Sequence, residues 1–231
     1  MEEQLYLFGE ESRVNNSMSI ADIINKSLDI KESFGMPTKL LNVLLDEDKK
    51  EAFLNFIFAY VDLSKDSFRD YFQSEHSDRD KLKQDYTPNC LCELIARLAP
   101  KTNRILDICS GTGALTLGAL KIQNIENIQC EEISSRALPV LICNLALRNL
   151  SVIVKQKDIL TGKIISVYNL TKGEKFSRIE QADETLKNKF DVVISNPPYS
   201  LSWEPKHDNR FDGYEIPPLR FQSSLRRCTR L

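Results

Sequence analysis

Asp107-Ile108-Cys109-Ser110-Gly111-Thr112-Gly113 is the stretch that decides the fold. It follows Arg104 to Ile108, a short apolar run that reads as a buried strand, and leads into a small-residue helix from Ala114. Strand, glycine turn and helix in that order open an α/β unit, whose ligands bind beyond the carboxyl ends of the strands. Two glycines let the backbone pass close to a ligand. The pyrophosphate fingerprint G-x-G-x-x-G/A is broken, because Thr116 stands at its last position. An ordinary tight strand–helix turn is the other reading of a G-x-G pair.

Working outward, the same alternation recurs. Upstream, Thr87 is placed to cap a helix with Pro88 at its first position, and Leu91, Leu94, Ile95 and Leu98 mark the face expected to be buried. Downstream, Ile125 to Cys130 reads as a second strand. Ser135 can cap the next helix, with Leu138, Leu141, Ile142 and Leu145 on one face and Pro139 tolerated in its first turn. Val152 to Lys155 is a third strand and Asp191 to Ser195 a fourth. Thr161 to Lys189, rich in Lys and Glu, reads as a solvated helix or loop inserted between them. Strands alternating with helices predict a parallel sheet covered on both faces.

The N-terminal part has a different texture. Ser19 with Asp22 resembles a capping pair, followed by Ile20, Ile23, Ile24 and Leu28 at helical spacing. Phe53, Phe56, Ile57 and Tyr60 form a second apolar stripe, and Phe68, Tyr71 and Phe72 a third. The charged stretch Gln73 to Gln84 reads as a linker. The expected organisation is a helical domain over 1–80, an α/β domain over 81–218 and a basic tail over 219–231.

Composition bounds the function. The 231 residues carry 31 Lys and Arg against 33 Asp and Glu, a net charge of −2, and are 42% hydrophobic and 28% charged. These are values of a soluble globular protein and exclude collagen-like, disordered and disulfide-scaffold chains. No apolar run approaches the roughly 18 residues of a membrane span. The acidic start MEEQLYLFGE shows no secretory signal. Six cysteines without a C-x-x-C pair suggest neither zinc nor thioredoxin chemistry, and the chain reads as reduced and cytoplasmic. The acidic balance offers no electrostatic case for nucleic-acid binding.

Two further strand ends carry chemistry. Glu131-Glu132 closes the second strand, where a carboxylate offers paired acceptors to both hydroxyls of a ribose. Strand alternation decides which of the two faces the ligand, and the sequence leaves that open. Asn196-Pro197-Pro198-Tyr199 closes the fourth strand. Two prolines remove two N–H donors and leave carbonyls to accept. With the Asn196 amide and the Tyr199 ring, this reads as a site for a planar amino group, not for a phosphate; an ordinary proline turn is the other reading.

With Asp85-Tyr86-Thr87-Pro88 before the glycine turn and Asn-Pro-Pro-Tyr after it, the chain resembles the gamma-class N6-adenine DNA methyltransferases. It is most similar to the modification subunit of type I restriction–modification systems, where the fourth strand also runs into NPPY/F-S-L, a Trp and R-F-x-G-Y. Here these are Asn196 to Trp203 and Arg210-Phe211-Asp212-Gly213-Tyr214. The resemblance implies a Rossmann-like S-adenosylmethionine-dependent methyltransferase fold behind a helical N-terminal domain. It implies S-adenosylmethionine as cofactor, no metal, double-stranded DNA as substrate, and specificity and restriction subunits as partners. Tyr86, Thr87 and Pro88 would contact the methionine end of the cofactor. Asp107, Ser110, Gly111, Thr112 and Gly113 would line its amino-acid portion, Glu132 would hold the ribose and Asp158 the adenine amino group. Asn196 and the Pro197 carbonyl would bond the target amino group, Pro198 completes the motif, and Tyr199 would stack on the base. The usual D-P-A-C-G-T-G turn is altered, with Ile108 for Pro and Ser110 for Cys.

The resemblance also implies seven strands, of which about four are read here. The chain is therefore expected to be a truncated, weakly active or inactive methyltransferase. A protein-glutamine or RNA N-methyltransferase, or a non-catalytic remnant that keeps part of the cofactor site, are the alternatives.

Overall fold

The computed structural model of the chain describes residues 19–75, 87–183 and 189–197. The elements follow in the order α1 (Ile20–Ser27), α2 (Met36–Leu45), α3 (Glu47–Phe58), α4 (Arg69–Glu75), α5 (Asn89–Leu98), β1 (Arg104–Ile108), α6 (Ala114–Ile122), β2 (Asn127–Glu132), α7 (Ala137–Ala146), β3 (Val152–Lys157), β4 (Ile164–Thr171), β5 (Arg178–Ala182) and β6 (Val192–Ser195).

The capping pair at Ser19 forms as read. The Asp22 N–H donates to Ser19 Oγ over 3.1 Å and the Ser19 N–H to Asp22 Oδ2 over 3.2 Å, which satisfies two otherwise orphaned donors. Asp46 caps α3 by accepting from the Lys49 N–H. Ile23, Ile24, Leu40, Leu44, Phe53, Leu54, Ile57 and Phe72 turn inward and join the apolar residues of the sheet in one continuous core. The helical layer sits on the sheet through α2, which packs against α7 and β5.

The sheet has the order β5-β4-β3-β2-β1-β6. β3, β2, β1 and β6 run parallel, whereas β4 and β5 are antiparallel to their neighbours. From β1 the chain steps outward to β2 and β3 on one side and later returns to β6 on the other. That reversal beside β1 is the switch point at which α/β sheets open a crevice for ligands.

Several expectations need correction. The sheet has six strands among the described residues, not four, and it is mixed. Ile164 to Ala182, expected to be a solvated helix or loop, is a hairpin. Val167, Tyr168, Leu170, Phe176 and Ile179 are buried in it, and the charged residues lie between them. Its turn depends on Gly173, where a Cβ would fall 2.2 Å from the Phe176 carbonyl oxygen. Asn149 holds that turn, accepting from the Gly173 N–H and donating to the Gly173 carbonyl.

The buried face of α5 also differs. Leu94 and Leu98 are 51% and 75% exposed, and Cys92 and Ala96 are buried instead. A Cβ on Gly118 of α6 would come within 2.9 Å of the Cys92 Cβ, so the helices approach closely and the small face of α5 turns inward. Thr87 does not cap α5; the Leu91 and Cys92 N–H groups donate to the Pro88 carbonyl. Ahead of α7 it is Ser134, not Ser135, whose Oγ accepts from the Arg136 and Ala137 N–H groups. The second strand begins and ends two residues later than read, at Asn127 and Glu132. Most of the expected linker, all of the basic tail and the segment Trp203 to Tyr214 lie outside the described residues.

Candidate active site

β1, β2 and β6 end side by side. Ile108, the last residue of β1, pairs with Glu131 on one flank and with Ser195 on the other. The glycine turn, Glu132 and Asn196 therefore open from three adjacent strand ends on the carboxyl edge of the sheet.

The turn is tightly wound. Cys109, Gly111 and Gly113 have φ of +60°, +58° and +96°. A non-glycine residue such as Cys109 in this region is strained and persists only where its surroundings fix it. Ser110 does that: its N–H donates to the Glu131 carbonyl over 3.0 Å, and its hydroxyl donates to the Asp107 carbonyl over 2.7 Å. The same hydroxyl accepts from the Glu131 N–H over 3.1 Å. Gly113 disfavours a side chain, because its φ of +96° strains any residue with a Cβ and that Cβ would also push on Leu141 Cδ1, 2.9 Å away.

Asp107 points beneath the turn. It is fully buried, and Oδ2 accepts from the Thr116 hydroxyl over 2.6 Å and from the Thr116 N–H over 3.2 Å. Oδ1 has no hydrogen-bond partner among the described residues. Burial pushes its carboxyl up to about 7, the Thr116 bonds pull the other way, and the nearby Glu132 charge adds to the rise. The Thr112 side chain is also buried and meets the Asp66 carboxylate, away from the strand ends.

The two glutamates separate cleanly. Glu132 Oε2 accepts from the Gly111 N–H over 2.7 Å, and Oε1 accepts from the Ser134 N–H over 2.7 Å. Its side chain thus stands against the glycine turn. Burial raises its carboxyl, and the N–H groups of Ser134, Gly111 and Ile133 oppose the rise. Glu131 faces the other side of the sheet, bonded to Gln129 Nε2 over 2.7 Å and to Lys157 Nζ over 2.8 Å. The alternation that the sequence left open places Glu132 beside the turn.

At the third strand end, Ser195 Oγ donates to the Ile108 carbonyl over 2.7 Å and ties β6 to β1. Asn196 Nδ2 donates to the Thr87 hydroxyl over 2.8 Å. This bond joins the segment before the glycine turn to the Asn-Pro-Pro-Tyr motif. Pro197 is half-buried beside it. Tyr86, Pro198 and Tyr199 lie outside the described residues. Pro88 is exposed at the start of α5. Asp158 follows β3, and its carboxylate accepts from the Leu160 N–H over 2.9 Å and the Thr161 hydroxyl over 2.8 Å, organising the turn toward Gly162.

Sequence reasoning missed Asp66, Asn144 and Arg148. Asp66 lies between α3 and α4, and Asn144 Nδ2 donates to its Oδ1 over 2.8 Å and to the Thr112 carbonyl over 2.9 Å. Arg148 donates to the carbonyls of Leu63, Lys65 and Asn144. Apart from the Arg148–Asn144 bond within one turn, these contacts span 32 to 85 positions of the chain, and no local pattern marks them.

The residues fit S-adenosylmethionine. Glu132 presents paired carboxylate oxygens, whose acceptor positions exceed the N–H groups that bond them, against a turn whose glycines leave the backbone bare. No helix among the described residues is long and apolar enough to cross a membrane.

A family model described as N-6 DNA Methylase matches residues 68–222, well over half of the chain. The chain is also 30% identical over 122 residues to the type I restriction enzyme MpnII methylase subunit of Mycoplasma pneumoniae. That similarity covers 51% of this chain and 22% of the relative, so the chain spans about a fifth of that protein's length.

Proposed function

The chain belongs to the N-6 DNA methylase family, and on that premise we propose that it is an adenine-specific N6 DNA methyltransferase of the modification-subunit type. Its methyl donor is S-adenosylmethionine, and its substrate is adenine in double-stranded DNA. It works beside the specificity and restriction subunits of a type I system in the cytoplasm. The observation that carries this reading is the meeting of Asn196 with Thr87 beside the glycine turn of β1, on whose other flank stands Glu132.

S-adenosylmethionine, when bound, supplies an electrophilic methyl group. Glu132 holds the ribose hydroxyls, and Asp107 and Ser110 keep the turn in shape beneath the amino-acid portion. Asp158, at the end of β3, serves the adenine amino group of the cofactor. The target amino group is a poor nucleophile, because its lone pair is delocalised into the ring. The Asn196 side-chain carbonyl and the Pro197 backbone carbonyl would accept hydrogen bonds from its two N–H groups, one of which gives up its proton to solvent once the N–C bond has formed. Fixed acceptors of this kind stabilise the positive charge that develops as the methyl arrives. The base leaves the duplex to reach the pocket, and Tyr199 gives it a stacking surface.

The test is incubation of the chain and a specificity subunit with labelled S-adenosylmethionine and unmethylated duplex DNA, followed by nucleoside analysis. Label in N6-methyldeoxyadenosine is expected. Parallel reactions on RNA and on protein complete the test: label there and none in the DNA would overturn the assignment in favour of those substrates.

A further inference from the structure

We infer that Asp66 is a positioning residue for the cofactor site, and that docking of the helical layer and cofactor binding are coupled through it. The inference rests on the proposed S-adenosylmethionine site and adds a requirement from outside the α/β part.

Asp66 belongs to the loop between α3 and α4, yet its carboxylate reaches the glycine turn. Oδ2 accepts from the Thr112 hydroxyl, and Oδ1 accepts from Asn144 Nδ2 over 2.8 Å and from the Phe68 N–H over 3.1 Å. The same Asn144 amide donates to the Thr112 carbonyl over 2.9 Å. Thr112 is thus held by its side chain and by its backbone from one side. Gly111, its neighbour, is held from the other side by Glu132 Oε2 over 2.7 Å. Asp66, Thr112 and Asn144 are all buried, at 7%, 0% and 1% exposure.

Thr112 lies between two residues of positive φ, Gly111 and Gly113. Glycines impose little on their own backbone, so a turn built from them needs outside contacts to hold one conformation. Asp66 and Asn144 supply those contacts. Arg148 anchors the Asp66 loop in turn, donating to the Leu63 carbonyl over 3.0 Å and the Lys65 carbonyl over 2.6 Å, while its Nη1 donates to the Asn144 carbonyl over 2.8 Å. Burial raises the Asp66 carboxyl, and the Thr112, Asn144 and Phe68 bonds oppose that, so the group is held by hydrogen bonds within the network. Two sites that share one turn are linked reciprocally: what orders the turn for the cofactor also orders the loop that grips it.

The experiment is calorimetric titration of S-adenosylmethionine into the full chain and into Asp66→Ala and Asp66→Asn, with amide exchange of the wild type with and without the cofactor. Asp66→Ala should weaken binding by about tenfold or more, the scale of one or two lost buried hydrogen bonds. Asp66→Asn can still accept from Asn144 and donate to Thr112, and should restore most of the affinity. The cofactor should also slow exchange over residues 62–68 in the wild type. Asp66→Ala binding as tightly as wild type, failure of Asp66→Asn to rescue, or unchanged exchange over 62–68 would each overturn the coupling. A wild type that does not bind S-adenosylmethionine at all would overturn the site itself, and this inference with it.

Discussion

Thr87 and Asn196 are 109 positions apart in the chain and 2.8 Å apart in space, the Asn196 Nδ2 donating to the Thr87 hydroxyl. An amide whose nitrogen is fixed has its carbonyl direction fixed as well. Thr87 therefore aims the acceptor that the proposed chemistry uses. Thr87→Val should lower single-turnover methylation by up to about tenfold, the range of one net hydrogen bond. Thr87→Ser should return most of the rate, because it keeps the hydroxyl. Equal losses in the two variants would contradict the positioning role.

Asn196→Ala should remove methyl transfer while leaving the folded core intact. Loss of one preorganised electrostatic contact typically costs about 10²- to 10³-fold in rate. Turnover within a few-fold of wild type in the DNA methylation assay would show that Asn196 has no such part.

Glu131 and Glu132 should fail in different ways. Glu131→Gln breaks the pair with Lys157 on the far face of the sheet, and should cost about 1–2 kcal/mol of stability in a urea melt. Affinity for the cofactor should be retained, because only the Glu131 backbone bonds the glycine turn, while its side chain lies on the other face of the sheet. A Glu131→Gln variant with wild-type stability and lost cofactor binding would reverse the assignment of the two residues.

Asp107 makes stability depend on pH in a defined direction. Its carboxyl is pushed up to about 7 in the folded chain, against about 3.9 in an unfolded one. Below about pH 4 both states are protonated and nothing is lost. Between about pH 4 and 7 the unfolded chain ionises first, so stability falls, and above about 7 the loss levels off. Asp107→Asn removes this contribution. Its melting temperature should gain on the wild type from pH 5 to pH 7.5 by several degrees, on the order expected for a few kcal/mol in a chain of this size. Parallel curves for the two proteins would show that the buried carboxyl does not ionise on unfolding as described.

Much of this arrangement is legible in the sequence because it is local. The Ser19–Asp22 cap is written in two residues, and β1 is written in five apolar-patterned ones whose bounds hold to the residue. The glycine turn and Asn-Pro-Pro-Tyr mark their own strand ends. The hairpin β4–β5 was hidden because Lys and Glu between its buried positions mimic a solvated insertion; Tyr168, Leu170 and Ile179 carry the alternation, but faintly. The face of α5 was misread because leucine is the stronger apolar signal, whereas close approach to Gly118 selects Cys92 and Ala96. Asp66 was not legible at all, since its meaning comes from Thr112 and Asn144, 46 and 78 positions downstream.

In the proposed reaction, labour is divided along one sheet edge, with the ends of β1 and β2 holding the cofactor and the end of β6 holding the target. Calorimetric titration of S-adenosylmethionine into wild type, Glu132→Ala and Asn196→Ala measures that division. Expected is one site in the wild type, the same affinity in Asn196→Ala, and a loss of about 10²-fold in Glu132→Ala, the scale of two hydrogen bonds to a charged acceptor. Undiminished binding by Glu132→Ala, or loss of binding in Asn196→Ala, would contradict it.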